Sequence, residues 1–264
     1  MSQPTKNTAL ITGASTGIGA VYARRLAARG YNLVLVARDV AKLQALAAGL
    51  QETGIKAEIL AADLTRREDR AKVEHRLETD AAITMLVNNA GVAMNGPLAS
   101  NDPDGLERMI ELNVTAATRL AAAVARAFSV RRSGTIINIA SVLALAPERF
   151  NGAYSGTKAY ILALTQTMQQ ELGPLGIRVQ AVLPGATRTE IWERAGMNIS
   201  HLPAEMVMDV EEMVDAALSG LDQNEAVTIP SLPDLADWQK LTETRFALGP
   251  NLSRQHAAAR YSQA

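Results

Sequence analysis

Short apolar runs alternate along the chain with longer amphipathic stretches. TALIT (8–12), YNLVLVA (31–37), AEILAA (57–62), ITMLVNN (83–89), GTIINIA (134–140), IRVQAVLP (177–184) and AVTIP (226–230) are the runs. They are nearly continuous in hydrophobicity instead of alternating, as strands buried on both faces require. The stretches between them carry helical spacing. Leu43, Leu46 and Leu50, for example, stand three and four positions apart and fall on one buried helix face. The intervals are long enough for right-handed crossovers between parallel strands. The pattern predicts an α/β fold, one doubly wound domain over residues 1–264 with helices on both faces of the sheet. Two regions break the rhythm. Residues 186–208 hold Ile191, Trp192, Met197, Ile199, Leu202, Met206 and Met208 without a strand pattern, and 231–264 read as a helix around Trp238 followed by a polar tail.

Bulk composition narrows the function classes. The 264 residues are 48% hydrophobic and 20% charged, with a formal net charge of −1. No basic field suggests nucleic acid or an anionic membrane surface. The absence of cysteine excludes disulfides, thiolate metal sites and cysteine nucleophiles, and fits a reducing, cytoplasmic setting. The start MSQPTKNTALITGAS lacks the long apolar centre of a signal peptide, and no stretch reads as a membrane span. His75, His201 and His256 lack the spacing of a metal site, so no metal is expected.

The first turn holds candidate chemistry. In ITGASTGIGAVYARRLAARG a strand, three glycines (Gly13, Gly17, Gly19) and a helix follow one another. Gly13 permits a sharp turn, Gly17 a close backbone approach to a pyrophosphate, and Gly19 tight helix–strand packing. Free N–H groups at the helix start then face the phosphates. Ser15, Thr16 and Ile18 complete this loop as cofactor-binding candidates. The second strand ends LVARD. An acidic residue there would bind a ribose 2′-hydroxyl, whereas a guanidinium suits a 2′-phosphate. Arg38 therefore favours NADP(H) over NAD(H), with Asp39 as the competing ribose ligand. Asp63, followed by Leu64 after the third strand, is a candidate adenine acceptor or part of a helix N-cap region.

TGASTGIG (12–19), NNAG (88–91), Asn113 in LNV, Ser141 in NIAS, YSGTK (154–158) and PG (184–185) together resemble the short-chain dehydrogenase/reductase family. The resemblance covers roughly residues 7–230. It implies a seven-stranded Rossmann sheet, a homodimer or homotetramer, and an NAD(P)-dependent oxidoreductase acting on a small carbonyl or alcohol. Residue by residue, it implies Tyr154 as acid/base, Lys158 as its activator, Ser141 as carbonyl-orienting donor and Asn113 as holder of a relay water. Asn89, Ala90 and Gly91 would line the cofactor cleft. Pro184, Gly185, Thr187 and Thr189 would lie near the nicotinamide, with the contacting threonine left open. Residues 186–208 would form a substrate lid around a lipophilic pocket, a subunit contact or core.

The chemistry of these residue types agrees. A ketone accepting hydride develops negative charge on oxygen and needs donors and then a proton. A tyrosine supplies both, but its free pKa is about 10, and a nearby ammonium is expected to lower it. Tyr154 and Lys158 stand at i and i+4, on one helix face. Two other readings use the same scaffold: a non-catalytic NADP(H) sensor, or an epimerase or dehydratase.

Overall fold

The computed structural model describes residues 7–261. The chain divides into two compact units, one ending at Pro230 and one beginning at Ser231. In the first, seven strands form one sheet in the order β3-β2-β1-β4-β5-β6-β7: β1 Thr8–Thr12, β2 Asn32–Ala37, β3 Ala57–Ala61, β4 Ile83–Asn88, β5 Gly134–Ile139, β6 Ile177–Val182 and β7 Val227–Thr228. Every pairing is parallel. Each run read as a strand from its apolar continuity contains one, trimmed by a residue or two at most ends. β7 is the shortest, at two residues.

Among the described residues of this unit there are eight α-helices: α1 Gly17–Ala28, α2 Val40–Gly49, α3 Arg67–Thr79, α4 Pro103–Ile110, α5 Ala117–Arg131, α6 Gly152–Leu172, α7 Ile191–Arg194 and α8 Val210–Asp222. Strand residues alternate between two cores because successive Cβ atoms point to opposite faces. Ala9, Ile11, Leu33 and Leu35 pack with Val21, Leu26, Leu43 and Met213 on one face. Leu10, Val34, Val36 and Ile136 pack with Leu77, Leu120, Val124 and Phe128 on the other. Full burial of each of the Val, Leu, Ile, Phe and Met side chains contributes on the order of 2 kcal/mol. Ion pairs join α1 to α8 at the rim, Arg25 to Asp215 at 2.6 Å and Arg29 to Asp222 at 2.9 Å.

The direction of winding reverses between β1 and β4, which opens a crevice at their carboxyl ends. Thr12 and Asn89 staple that crevice. The Thr12 hydroxyl accepts from the peptide N–H groups of Asn89 and Ala90 at 2.9 and 3.0 Å, and Asn89 Nδ2 donates to the Thr12 carbonyl at 2.8 Å.

The segment 186–208 has no strand, as its pattern implied. It holds α7, two short 3₁₀ turns and a lone bridge between Thr187 and Met208. Its apolar side chains are half-buried, apart from the exposed Met206, and Met208 packs against the first core. The second unit contains α9, Leu235–Ala247, the helix expected around Trp238. Among the described residues no helix is long and apolar enough to cross a membrane.

Candidate active site

Tyr154 and Lys158 stand on the first turns of α6 and are both buried. Lys158 Nζ lies 5.7 Å from the tyrosine ring centroid and donates to the Ile139 carbonyl, at the end of β5, at 2.9 Å. Ser141, two residues further on, lies on the tyrosine hydroxyl's side and favours its charged form. The serine Oγ accepts from Leu143 N and donates to the Pro184 carbonyl. Phe150 meets the tyrosine ring edge-on at 5.7 Å.

The electrostatics differ from the expectation that the ammonium lowers the phenol. Burial pushes Tyr154 up to about 12, and Ser141 only partly offsets it. Burial also brings Lys158 down to about 8. Taking either charged form out of water costs more here than one hydrogen bond returns. Lys158 spends its short bond on a backbone carbonyl, not on the phenol.

Asn113 sits where α4 runs into α5 through a π-helical stretch, Glu111–Ala116. One extra residue per turn is a common device at functional sites. Its amide is buried and fully engaged. Oδ1 accepts from Val92 N at 2.9 Å, and Nδ2 donates to the Val92 carbonyl at 2.8 Å and to Thr157 Oγ1 at 3.1 Å. Thr157 donates in turn to the Tyr154 carbonyl at 2.7 Å. A Cβ built on Gly91 would stand 3.2 Å from Asn113 Oδ1 and 3.6 Å from Lys158 Nζ. The four candidate catalytic residues therefore occupy one locality, at the carboxyl edge of the sheet.

The glycine loop adjoins it. Gly13 and Gly17 have φ of +66° and +52°, the left-handed region where glycine carries no steric cost. Gly19 has a different reason: a Cβ there would lie 2.3 Å from the Gly13 carbonyl oxygen. Thr16 is the N-cap of α1 but makes no side-chain capping bond. The first-turn N–H groups of Gly17, Ile18 and Gly19 thus keep their donor capacity toward the loop. Ser15 is half-buried beside them. This cradle fits an anionic pyrophosphate.

The remaining cofactor candidates fall around the same crevice. Arg38 is exposed and makes no side-chain bond among the described residues. Asp39 caps α2, one carboxylate oxygen accepting from Lys42 N at 3.0 Å. Asp63 is not a helix cap. Arg66 holds that position for α3, and Asp63 Oδ1 instead closes a turn, accepting from Thr65 N and Oγ1 at 3.0 and 2.7 Å. The Leu64 side chain is buried, and its carbonyl accepts from Arg70 at 3.0 Å. Asn89, Ala90 and Gly91 leave β4 directly over the glycine loop. Pro184 and Gly185 leave β6 beside Ser141. The two threonines separate clearly. Thr187 is buried, donates to the Gly185 carbonyl at 3.1 Å and lends its own carbonyl to Trp192 Nε1. Thr189 faces Gly17, whose built Cβ would stand 3.2 Å from its methyl.

Sequence reasoning missed a second layer. Asn88 Nδ2 donates to the Ala117 carbonyl and to Asn138 Oδ1, and Asn138 Nδ2 donates to Thr165 Oγ1 at 3.0 Å. This buried chain ties β4, β5, α5 and α6 together beneath the site. Asn151 and Thr157 are also absent from the motif reading. An asparagine three residues before Tyr154 at a helix start is a capping signal that would have found the first.

Comparison with known proteins is consistent with this arrangement. Residues 7–199 match the family model described as short chain dehydrogenase. A short-chain dehydrogenase from Sphingobium yanoikuyae in complex with NADPH is 53% identical. It covers 97% of this chain and all of its own, with a TM-score of 0.94. A bulky-bulky ketone specific alcohol dehydrogenase from Comamonas testosteroni is 47% identical over 98% of this chain and 100% of its own, with a TM-score of 0.91. The human 17-beta-hydroxysteroid dehydrogenase type 3 is 33% identical over 195 residues, 72% of this chain and 62% of that protein.

Proposed function

The chain belongs to the short-chain dehydrogenase family of oxidoreductases, and from that premise we propose that it interconverts a ketone or aldehyde and an alcohol with NADP(H). The observation that carries the reading is the meeting of Tyr154, Ser141, Lys158 and Asn113 beside an uncapped, glycine-lined helix start. When bound, the cofactor supplies or accepts the hydride. The glycine loop with Ser15 and Thr16 holds its pyrophosphate, Arg38 its 2′-phosphate, and Asp63 with Leu64 borders the adenine. Asn89, Ala90, Gly91, Pro184, Gly185 and Thr189 line the nicotinamide end. Thr189 is favoured over Thr187 because Thr187 is buried and already bonded.

Tyr154 donates the proton to the carbonyl oxygen, and the Ser141 hydroxyl, turning from its long bond to the Pro184 carbonyl, donates a second hydrogen bond to the same oxygen. With its pKa raised to about 12, the tyrosine stays protonated across the physiological range and so carries the proton that reduction consumes. The Lys158 ammonium stabilises the phenolate left behind. Residues 186–208 act as the substrate lid, with half-buried Ile191, Met197 and Ile199 suited to an apolar substrate. The name of the Comamonas relative supports a bulky ketone.

The test is NADPH oxidation against bulky and small ketones. Wild type is expected to turn over bulky ketones. Tyr154→Phe is expected to bind NADPH normally and lose about 10²- to 10⁴-fold in kcat. Full turnover by that variant would remove tyrosine from the chemistry.

A further inference from the structure

Asn151 lies three residues before Tyr154 and has no part in the hydride chemistry above. It is 6% exposed, yet every polar atom of its amide is engaged. Oδ1 accepts the peptide N–H of Tyr154 at 3.0 Å and so caps α6. Nδ2 donates to the Gly96 carbonyl at 2.7 Å and to Asn101 Oδ1 at 2.6 Å. Asn101 donates onward to the Asn95 carbonyl at 2.7 Å, and Asn95 Oδ1 accepts from Gly96 N at the same distance. One buried amide therefore ties the first turn of the tyrosine-bearing helix to the loop 92–101.

That loop leaves the carboxyl end of β4, on the edge where ligands of open parallel sheets bind. Its near end is clamped by Asn113 through both backbone polar groups of Val92. Its far end runs directly into α4, whose N-cap is Asp102. Asn151 holds the far half, and Asn113 holds the near half and reaches Tyr154 through Thr157. The loop is thus fixed to the tyrosine's turn at two separate points.

We propose that Asn151 is a positioning residue for the reaction, setting Tyr154 and the substrate-side loop 92–101 in one fixed relation. The inference rests on the catalytic reading of Tyr154. The residue type suits the task. An amide presents acceptor and donors on one short side chain, and asparagine is among the best N-caps. Serine also caps well, but its single hydroxyl is too short to span to the loop as well. A shift of about 1 Å at the reacting groups is enough to cost on the order of 10²-fold in rate.

Three variants separate the two duties. Asn151→Ser keeps the cap and breaks the strap. Asn101→Ala removes one of the strap's two bonds from the far side without touching α6, and leaves the bond to the Gly96 carbonyl. Asn151→Ala breaks both. The first two are expected to share one phenotype in kind, with kcat within about twofold and a KM for ketone raised about three- to tenfold in Asn151→Ser and by less in Asn101→Ala. Their peptides over 93–101 should exchange amide hydrogen faster while 154–160 stays protected. Asn151→Ala should in addition lower kcat about tenfold, with NADPH affinity, measured by fluorescence titration, within about twofold of wild type. The proposal is overturned if Asn151→Ser and Asn101→Ala keep wild-type KM and loop exchange. It is equally overturned if Asn151→Ala loses activity only in proportion to its lost NADPH-binding fraction. If Asn151→Ala does not fold, the other two variants decide. Tyr154→Phe separates the readings: an inactive Tyr154→Phe with wild-type Asn151 variants sinks this inference alone, whereas an active Tyr154→Phe sinks the reading beneath it.

Discussion

Lys158 and Tyr154 lie against each other in the cleft, and burial shifts both toward their neutral forms. With Lys158 at about 8, the ammonium discharges within an accessible range while the phenol stays protonated to about 12. The rate of ketone reduction, followed as kcat/KM, is therefore expected to fall as pH rises through about 8. Lys158→Arg, which keeps its charge, should flatten that limb; an unchanged limb would assign it elsewhere. Stability runs the other way. Between about 8 and the ordinary lysine value of 10.5, the fold holds fewer protons than the unfolded chain, so stability rises with pH across that window, and below it the cost of burying the charged ammonium is present in full. Tyr154 opposes it only above pH 10, where the unfolded chain loses its proton first. Lys158→Met is thus expected to raise Tm by a few degrees at pH 7 while abolishing turnover, a trade visible by thermal unfolding. Arg38 offers a cleaner readout: Arg38→Ala should weaken NADPH about 10- to 100-fold and leave NADH nearly untouched. That Tyr154, Lys158 and Ser141 meet in one place was legible from the family resemblance of their motifs. Their protonation was not, because the ammonium's bond to the Ile139 carbonyl depends on how deeply β5 and α6 bury the pair.

At the level of elements, the strands were legible because a parallel sheet buries both faces and so writes continuous apolar runs. The glycine loop was legible for the same physical reason, since only glycine tolerates its backbone. Gly19 is the severe case. Gly19→Ala would drive a methyl into the Gly13 carbonyl, and is expected to cost about 3 kcal/mol or more together with NADPH binding, as thermal melts and fluorescence titration would register. The π-helical stretch around Asn113 was not legible. Its Leu-Asn-Val sequence reads as ordinary helix, and the widened turn is set by tertiary bonds to Val92 and Thr157. The role of 186–208 was equally hidden, because its half-buried apolar residues carry no period that distinguishes pocket from core.

For the molecule as a whole, both cores close before the second unit begins, and α9 buries none of its residues. Instead, Leu241, Phe246, Leu248 and Leu252 are exposed, Phe246 by 65%. A chain ending at Pro230 is accordingly expected to keep the sheet and melt within a few degrees of the full protein, which circular dichroism would register; loss of the fold would mean that 231–264 completes it. The helix around Trp238 was readable in the sequence, where the rest of this region reads as a polar tail; the exposure of its apolar side chains was not. The strand order carries a consequence in time. β1 is the first strand made, yet it lies between β2 and β4, and Thr12 bonds to Val87, 75 residues downstream. At about 5–20 residues per second, a ribosome needs roughly 4–15 s to deliver that partner. Until then this interior strand of the newborn chain keeps one edge unpaired, open to pairing with another chain.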